Sequence, residues 1–337
     1  MNNVLFVGNY LSQFTGTYGV SEKIADLLSE HSFKIHLISR KKNKIFRVID
    51  IIYNCFFMRY EVIQIDTYTG PAFIIAELSS FIAKLRGKKI ILTLHGGNFH
   101  NFFKNNYNRI TRVFNRSNYI QTPSLFLKEY FQNNNIQLNY LPNPIDLSCF
   151  PYKQGFRKKN SILWVRAFSY IYNPELAINS LYELKKKFPN ATLTMVGPDK
   201  GCLNNINDLI KDLNLADSIN LTGPINNNDL YRLYHSHEVF INTTSFESFG
   251  VSLFEAASCG IPIVSTDVGE LPYLWSNNEN ILFCNSLNPV IFSDQISKLF
   301  KSKMLKEKIS INARKNAENY DWRYIENKWI NILKKNN

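Results

Sequence analysis

The chain has 337 residues, more than one hydrophobic core usually serves, so two domains are expected. Hydrophobic residues make up 45% and charged residues 20%, a globular balance that excludes a disordered chain. The net charge is +12, of which +8 falls on residues 1–150. This excess indicates either an anionic partner or general solubility.

The sequence also bears on the cellular compartment. The five cysteines form no Cys-x-x-Cys pair, and their odd number is typical of a reducing compartment. No charged-then-apolar leader opens the chain, and no run of 18 apolar residues occurs in it, so neither secretion nor a membrane span is expected. The prediction is a cytoplasmic protein, with the inner face of the cell membrane as a further candidate location.

Short apolar runs alternate with amphipathic stretches in the first half of the chain. Pro142 and Pro144 then interrupt the pattern, because proline continues neither a helix nor a central strand, and they mark a linker. Strands are predicted near 4–8, 35–39, 62–66, 89–94 and 119–122, with helices near 20–30, 44–58, 71–86, 99–116 and 124–133. This alternation predicts an α/β fold in which helices cover both faces of a parallel sheet.

The same alternation restarts after the linker. Strands are predicted near 162–165, 192–196, 219–222, 239–242, 262–265 and 281–283, with helices near 174–187, 203–213, 227–236, 249–258, 288–302, 305–319 and 321–335. The chain is therefore predicted to hold two doubly wound domains, 1–150 and 151–320. Such sheets bind ligands beyond the carboxyl ends of their strands, so a cleft between the domains is the expected active site.

The most informative segment spans residues 244–256, which follow a predicted strand and open a predicted helix. Glu247 stands at the strand end, and Gly250 lacks a Cβ, so the backbone beside it can approach a ligand closely. The first helical turn favours a phosphate. Glu255, about two turns on, could accept hydrogen bonds from neighbouring hydroxyls such as those of a ribose. The simpler interpretation is an N-capped helix with one partly buried glutamate.

This segment resembles the Glu-x7-Glu motif of family 4 glycosyltransferases, which have the GT-B fold. The similarity continues through residues 258–269, and shorter matches lie at 121–124, 143–146, 221–223 and 320–322. The resemblance implies two Rossmann-like domains that face a cleft. It also implies a final helix, 321–337, that crosses back onto the first domain.

The resemblance also implies roles for individual residues. Glu247 would face the hydroxyls of the donor sugar, and Glu255 would hold the ribose. Backbone groups would meet the sugar and diphosphate at Phe249, Gly250 and Val251. The reaction would retain the anomeric configuration and need no metal ion or other cofactor. Ser245 and Gly197 are also assigned to the predicted nucleotide-sugar site.

Arg166 follows the first strand of the second domain, where the family places a diphosphate-binding arginine. A guanidinium can bind two phosphate oxygens at once, although a surface arginine at a strand end is the simpler interpretation. The family's usual lysine is missing from the segment 168–174. Tyr172 or Asn173 stands in its place, and Lys200 is a candidate substitute. The alternative prediction is a catalytically weak or inactive nucleotide-sugar-binding protein.

Two features of the first half also resemble the family. Gly16 and Gly19 lie in a loop that resembles its glycine-rich loop, which approaches the donor phosphate and the acceptor, so both are also predicted to bind the nucleotide-sugar. Tyr18 replaces one glycine of that loop, and an ordinary strand-to-helix turn is the alternative. His95 follows a predicted strand and matches the family's active-site histidine, which contacts the donor sugar. A core histidine bonded to backbone is the alternative for His95.

The predicted partners are a nucleotide-sugar donor and a saccharide or lipid-linked acceptor, in the synthesis of a surface polysaccharide or glycolipid. Basic residues at 40–44 precede the apolar stretch 45–58, and such a surface can press on an anionic membrane. The other interpretation of 45–58 is a helix packed on the sheet. No nucleic-acid partner is expected, because the basic residues are dispersed and no recognition motif occurs. A sugar-nucleotide isomerase of the same fold is a further alternative function.

Overall fold

The computed structural model describes residues 2–15, 19–31, 33–38, 40–96, 99–155 and 157–334. They form two compact units. One contains the residues up to Pro144 together with those from Trp322 onward, and the other is Ile145–Asp321. Each unit is built around its own parallel sheet.

The sheet of the first unit has six strands in the order β2-β1-β3-β4-β5-β6, and every described pairing is parallel. Their bounds are β1 Asn2–Val7, β2 Phe33–Ile38, β3 Val62–Thr67, β4 Lys89–Leu94, β5 Tyr119–Thr122 and β6 Asn139–Tyr140. The sequence predicted the first five strands. It missed β6 because two residues are too few for any periodic pattern.

In the described residues of this unit, seven α-helices accompany the sheet before the chain leaves it. They are α1 Ser12–Thr15, α2 Val20–Ser29, α3 Lys44–Phe57, α4 Phe73–Leu85, α5 Phe99–Asn105, α6 Tyr107–Phe114 and α7 Leu125–Asn133. The single helix predicted at 99–116 is wrong, since Asn106 separates α5 from α6 with a non-helical backbone. Apolar clusters occupy both faces of the sheet.

The second unit repeats the architecture with strands in the order β12-β11-β10-β7-β8-β9. The strands are β7 Lys158–Val165, β8 Thr192–Val196, β9 Ile219–Gly223, β10 His237–Asn242, β11 Ile263–Thr266 and β12 Leu282–Cys284. The helices are α8 Pro174–Lys185, α9 Leu203–Asp212, α10 Asn227–Ser236, α11 Val251–Ser258, α12 Leu271–Leu274, α13 Pro289–Lys301 and α14 Lys303–Glu318. Strand order reverses between β7 and β10, so the crevice that open α/β sheets use for ligands lies beyond the ends of these two strands.

The last helix, α15 Trp322–Leu333, belongs to the first unit. Trp322, Ile325, Trp329 and Leu333 are buried and share one helix face, in the apolar cluster that also contains Val4. Lys89 at the start of β4 donates a 2.7 Å hydrogen bond to the carbonyl of Lys334. Within the described part of the chain, no helix combines the length and the apolarity that crossing a membrane requires.

Candidate active site

An ion pair lies beyond the ends of β7 and β10. Arg166 follows β7 directly, and its Nη2 donates a hydrogen bond to the carboxylate of Glu247. Its Nε donates to Oδ1 of Asn242, the last residue of β10, at 3.3 Å. The guanidinium also lies over the ring of Tyr172, 5.3 Å from the centroid. These three contacts fix the guanidinium plane at the crevice of the sheet.

The pair is nearly buried, with 12% of the Arg166 side chain and 9% of the Glu247 side chain exposed. A buried charge must be paired, and the hydrogen bonds here join a cation to an anion and are correspondingly strong. Nη1 of Arg166 has no hydrogen-bond partner among the described residues. The guanidinium therefore keeps donor capacity for an anionic ligand while its position is already set.

The turn that carries Glu247 is closed by its own hydrogen bonds. Oε1 of Glu247 accepts from the N–H groups of Ser248 at 3.1 Å and Phe249 at 3.4 Å. The carbonyl of Glu247 accepts from the N–H of Glu270 at 2.9 Å. Gly269 makes this approach possible, because a Cβ there would overlap the backbone of Glu247 and its φ is +60°. The N–H groups of Ser248 and Phe249 thus orient the carboxylate, and the bond from Glu270 fixes the backbone that carries it.

The helix α11 begins immediately after this turn. Gly250 precedes it in the left-handed conformation, with φ +85°, and Val251 is its first residue. The first N–H groups of a helix have no partner within the helix, and the dipole makes that end attractive to an anion. The side chain of Phe249 is buried and stacks on Phe254 with ring centroids 4.7 Å apart. Only the backbone of Phe249 is therefore suited to meet a ligand.

Glu255 lies farther along α11 and is buried. One of its carboxylate oxygens accepts a 3.0 Å hydrogen bond from the hydroxyl of Tyr234. Burial, and after it the negative charge of Glu255, raises the pKa of Tyr234 well above its ordinary value. Tyr234 therefore stays protonated at physiological pH and remains a donor that orients Glu255.

The two remaining predicted residues of this unit have different surroundings. Gly197 follows β8 and packs against the backbone of Arg166, so that a Cβ there would overlap the Arg166 carbonyl. Because Gly197 has no Cβ, the backbone of the loop after β7 can pass close to it. Ser245 is exposed, and its N–H donates a 2.7 Å hydrogen bond to the carbonyl of Ile171.

The positions considered in place of the missing lysine also differ from one another. Asn173 is the N-cap of α8, and its side chain accepts from the N–H of Leu176 at 3.2 Å. Tyr172 lies against the Arg166 guanidinium. The N–H of Lys200, whose side chain is exposed, donates a 2.9 Å hydrogen bond to the carbonyl of Phe168, two residues after Arg166. Of these three residues, Lys200 is the one with a positively charged side chain, and its backbone is bonded to the loop that follows β7.

In the first unit, His95 follows β4, and its Nε2 lies 3.0 Å from Oδ1 of Asp66, a buried residue of β3. The other oxygen of Asp66 accepts from the hydroxyl of Tyr10 at 3.4 Å. The ring of Tyr68 stacks on His95, with centroids 5.2 Å apart. Among the described residues, a carboxylate and an aromatic ring therefore hold the imidazole of His95, while its backbone N–H donates to the carbonyl of Thr67 at 2.9 Å.

Burial and then the charge of Asp66 raise the pKa of Tyr10 well above its ordinary value, and the same two causes raise the pKa of Tyr68. Both phenols therefore stay protonated at physiological pH and can act as hydrogen-bond donors. Sequence reasoning missed Asp66 and Tyr10. The available signal was that Asp66 is the last residue of a predicted buried strand. Functional groups of parallel sheets gather at such carboxyl ends.

Glu22 of α2 bonds two residues that precede this helix. Its carboxylate accepts from Oγ of Ser12 at 2.7 Å and from the N–H of Gly19 at 2.8 Å. Gly19 is the N-cap of α2, and the buried Glu22 fixes where the loop before α2 ends. Gly16, the other glycine predicted here, lies outside the described residues. Across the residues that the structure does describe, no three His, Cys, Asp or Glu side chains group as metal ligands.

Residues 151–316 match the family model described as glycosyl transferases group 1. The matched residues all lie within the second unit. A D-inositol 3-phosphate glycosyltransferase from Paenarthrobacter aurescens is 26% identical over 200 residues, which are 55% of this chain and 48% of the relative. The chain spans about half or less of the length of the curated relatives it matches.

Solved structures resemble both units together. Sucrose-phosphate synthase from Thermosynechococcus elongatus has a TM-score of 0.77 at 14% identity, covering 98% of each chain. Anabaena HepE in complex with UDP and glucose has a TM-score of 0.77 at 16% identity, covering 99% of each chain. The likeness confirms the predicted GT-B fold, with its two Rossmann-like units. The residues that match the group 1 model include Arg166, Glu247 and Glu255, whereas His95 lies outside them.

Proposed function

We propose that the protein is a retaining, metal-independent glycosyltransferase of family 4. It moves a sugar from a nucleoside-diphosphate sugar to a saccharide or a lipid-linked saccharide. The observation that carries the proposal is the Arg166–Glu247 pair beside the first turn of α11. A cation with remaining donor capacity, a carboxylate and a helix N-terminus suit a diphosphate joined to a polyhydroxylated ring.

In the proposed reaction the bond between the anomeric carbon and the diphosphate oxygen breaks, and its electron pair stays on the leaving phosphate. The acceptor hydroxyl forms the new bond to the anomeric carbon, and its proton passes to the leaving diphosphate. Negative charge grows on the diphosphate as this proceeds. Arg166 and the N–H groups that begin at Val251 stabilise this charge more than the ground-state charge, which lowers the barrier.

Each remaining residue has a proposed task. Glu247 accepts hydrogen bonds from hydroxyls of the donor sugar, since backbone groups already orient its carboxylate. Glu255, supported by Tyr234, accepts from the ribose hydroxyls. Lys200 supplies the second positive charge to the diphosphate from the loop bonded to Phe168. His95 is proposed to contact the donor sugar, in the orientation that Asp66 sets.

The donor base and the acceptor are proposed from the names of similar proteins. The HepE structure contains UDP and glucose, which favours a uridine nucleotide as the first donor to test. The Paenarthrobacter relative is named a D-inositol 3-phosphate glycosyltransferase, which adds polyol phosphates to the saccharide and lipid-linked saccharide acceptors to be tested. A role in surface polysaccharide or glycolipid synthesis at the inner face of the cell membrane agrees with such acceptors.

The test is a donor screen followed by analysis of the product. Purified protein is mixed with UDP-, GDP- and ADP-sugars, and each donor is scored by thermal stabilisation, because a ligand bound to the folded state raises its apparent stability. Stabilising donors are then incubated with saccharide and lipid-linked acceptors, and release of nucleoside diphosphate is followed. Glu247→Ala is the control variant.

The expected result is acceptor-dependent release of nucleoside diphosphate, with a product whose anomeric configuration by NMR equals that of the donor. An inverted product would contradict the retaining mechanism alone. Tight nucleotide binding without release for any donor and acceptor pair would instead favour the alternative of an inactive binding protein. Release that persists in Glu247→Ala at the wild-type rate would remove the site assignment.

A further inference from the structure

Helix α3 exposes a continuous apolar stripe. Only Ile51 and Cys55 of this helix are buried, and they face the sheet. Six large apolar residues are at least half exposed: Ile45, Phe46, Ile49, Tyr53, Phe56 and Phe57. Their spacing of three, four or one places them along one side of the helix. The two sequence interpretations are thus compatible, because the helix packs on the sheet and still presents apolar surface.

The stripe is part of a well-formed helix. Asn43 caps its N-terminus by accepting from the N–H groups of Ile45 and Phe46 at 2.9 and 3.3 Å. Arg86 donates to the carbonyls of Cys55 at 2.7 Å and Met58 at 2.9 Å at the other end. The exposed side chains therefore stand on a helix whose ends are both hydrogen-bonded, and they are not the product of a frayed segment.

A basic cluster is fixed at the N-terminal end of this stripe. Lys41, Lys42 and Lys44 are exposed and make no ion pair with any carboxylate among the residues described. Arg47 ties their loop to the helix, donating to the carbonyl of Lys41 at 2.8 Å and of Lys42 at 3.1 Å. Residues 40–58 hold five basic residues and one acidic residue. Positive charge and apolar surface therefore adjoin one another.

We infer that this face of α3 docks on an anionic lipid bilayer. A helix lying in a membrane interface buries an apolar side and keeps cationic residues at the headgroups, and α3 supplies both. The stripe runs along an outward helix surface, where a fluid lipid layer can cover side chains of unequal length. The inference deepens the role proposed at the membrane, although vesicle binding requires no glycosyl transfer and is tested separately from it.

Charge complementarity decides between a bilayer and a second copy of this chain. A second copy would bring the same positive cluster to the contact, whereas phosphatidylglycerol headgroups would neutralise it. Each basic residue near an anionic surface strengthens binding by about fivefold. Binding should therefore depend on both the lipid charge and the salt concentration.

The experiment is co-sedimentation of the full chain with vesicles of phosphatidylcholine alone or mixed with phosphatidylglycerol, at low and high salt. The stripe variant is Phe46→Ser with Ile49→Ser, and its matched control is Met304→Ser with Tyr324→Ser, two exposed apolar residues elsewhere. The charge variant is Lys41→Gln with Lys42→Gln and Lys44→Gln. Its control replaces the exposed Lys301, Lys303 and Lys315 in the same way.

Wild type and both controls should bind the anionic vesicles, and the stripe variant should lose at least about tenfold in partitioning. The charge variant should lose about a hundredfold at low salt, at about fivefold for each of three lysines, and match wild type at high salt, where electrostatic attraction is screened. Glu247→Ala should bind as wild type does, so a failed transferase assay leaves this result intact. Equal binding by the stripe variant, absence of wild-type binding, or a dimer that the stripe variant dissociates would overturn the inference.

Discussion

Arg166 and Glu247, which are 81 positions apart in the chain, form an ion pair in which each partner is also held by another polar group. Arg166 bonds Asn242 through Nε, and Glu247 accepts from the N–H of Ser248. The two side chains therefore form one preorganised ion pair. Removing either residue leaves the other charge largely buried without its partner, which is costly whatever ligand is present.

The first prediction concerns a double-mutant cycle on this pair. Arg166→Ala and Glu247→Ala should each lower kcat/KM for transfer at least about a hundredfold, as expected for a lost transition-state contact. In the double variant, kcat/KM should fall far less than the product of the two single losses, because each single change already disables the ion pair. The measurement is initial-rate release of nucleoside diphosphate at saturating acceptor.

The matched control is the surface pair Lys187 and Asp294 in the same unit, whose side chains are each 50% exposed. Alanine at either position should leave kcat/KM within about twofold, because an exposed ion pair contributes only ~0–1 kcal/mol to stability. Strictly multiplicative losses at Arg166 and Glu247 would show that the two residues act independently.

The second prediction concerns Gly269. Gly269→Ala should lower both the melting temperature and kcat, since its Cβ would overlap the backbone of Glu247 and displace the carboxylate. Gly223→Ala is the control, because Gly223 has a similar positive φ of +70° but open space around its missing Cβ. Each variant bears the cost of a positive φ, roughly 1 kcal/mol. Thermal denaturation and steady-state assays should show a loss of kcat for Gly269→Ala alone.

The site residues that the sequence predicted lie close together in the chain, whereas the residues that it missed lie far from the ones they support. Glu247, Gly250 and Glu255 stand within nine consecutive residues, so one local pattern contains them. Gly269 supports Glu247 from 22 positions away, and Asp66 supports His95 from 29 positions away. Such contacts depend on strand order in the sheets, which strand and helix periodicity does not encode.

The fold shows the same division. Alternating strands and helices predict two parallel sheets, because each element carries its own period. The exposure of α3 was not predictable in this way. Its apolar stretch resembles a buried helix in sequence, and only the packing of Ile51 and Cys55 on the sheet shows which side remains outside.

The third prediction tests Glu255 as a ribose-binding residue. The wild type should bind a nucleoside diphosphate more tightly than its 2′-deoxy analogue by roughly tenfold or more, since a hydrogen bond to a charged group contributes about 1.5–3 kcal/mol. Glu255→Ala should bind both ligands with similar affinity. Isothermal titration calorimetry gives the four constants.

Tyr234→Phe is the graded control for that experiment, because it removes the donor to Glu255 and keeps the ring. It should weaken the discrimination without abolishing it. Equal weakening of both ligands in Glu255→Ala, with the preference for ribose intact, would place the ribose elsewhere.

The fourth prediction concerns metal independence. Transfer should continue at the same rate after dialysis against EDTA, and added Mg²⁺ should raise it by less than about twofold, because Arg166 and the helix N-terminus already counter the diphosphate charge. A metal-dependent glycosyltransferase treated alongside shows that chelation was complete. Loss of activity in EDTA with recovery on adding Mg²⁺ would assign the charge-neutralising role to a metal ion.

The fifth prediction concerns stability in acid. Burial of His237 lowers the pKa of its imidazole below the ordinary value of 6.5, while its two ring nitrogens lie 2.8 Å from the carbonyl of Leu233 and 2.8 Å from Oγ1 of Thr194. The unfolded chain therefore takes up this proton at a higher pH than the folded chain does. The resulting stability is complete above pH 6.5 and declines as the pH falls from there toward the folded pKa. His237→Gln removes the titration, so its melting temperature should fall less than that of wild type between pH 7.5 and pH 5.5. Parallel curves for the two proteins would show that His237 does not titrate on unfolding in this range.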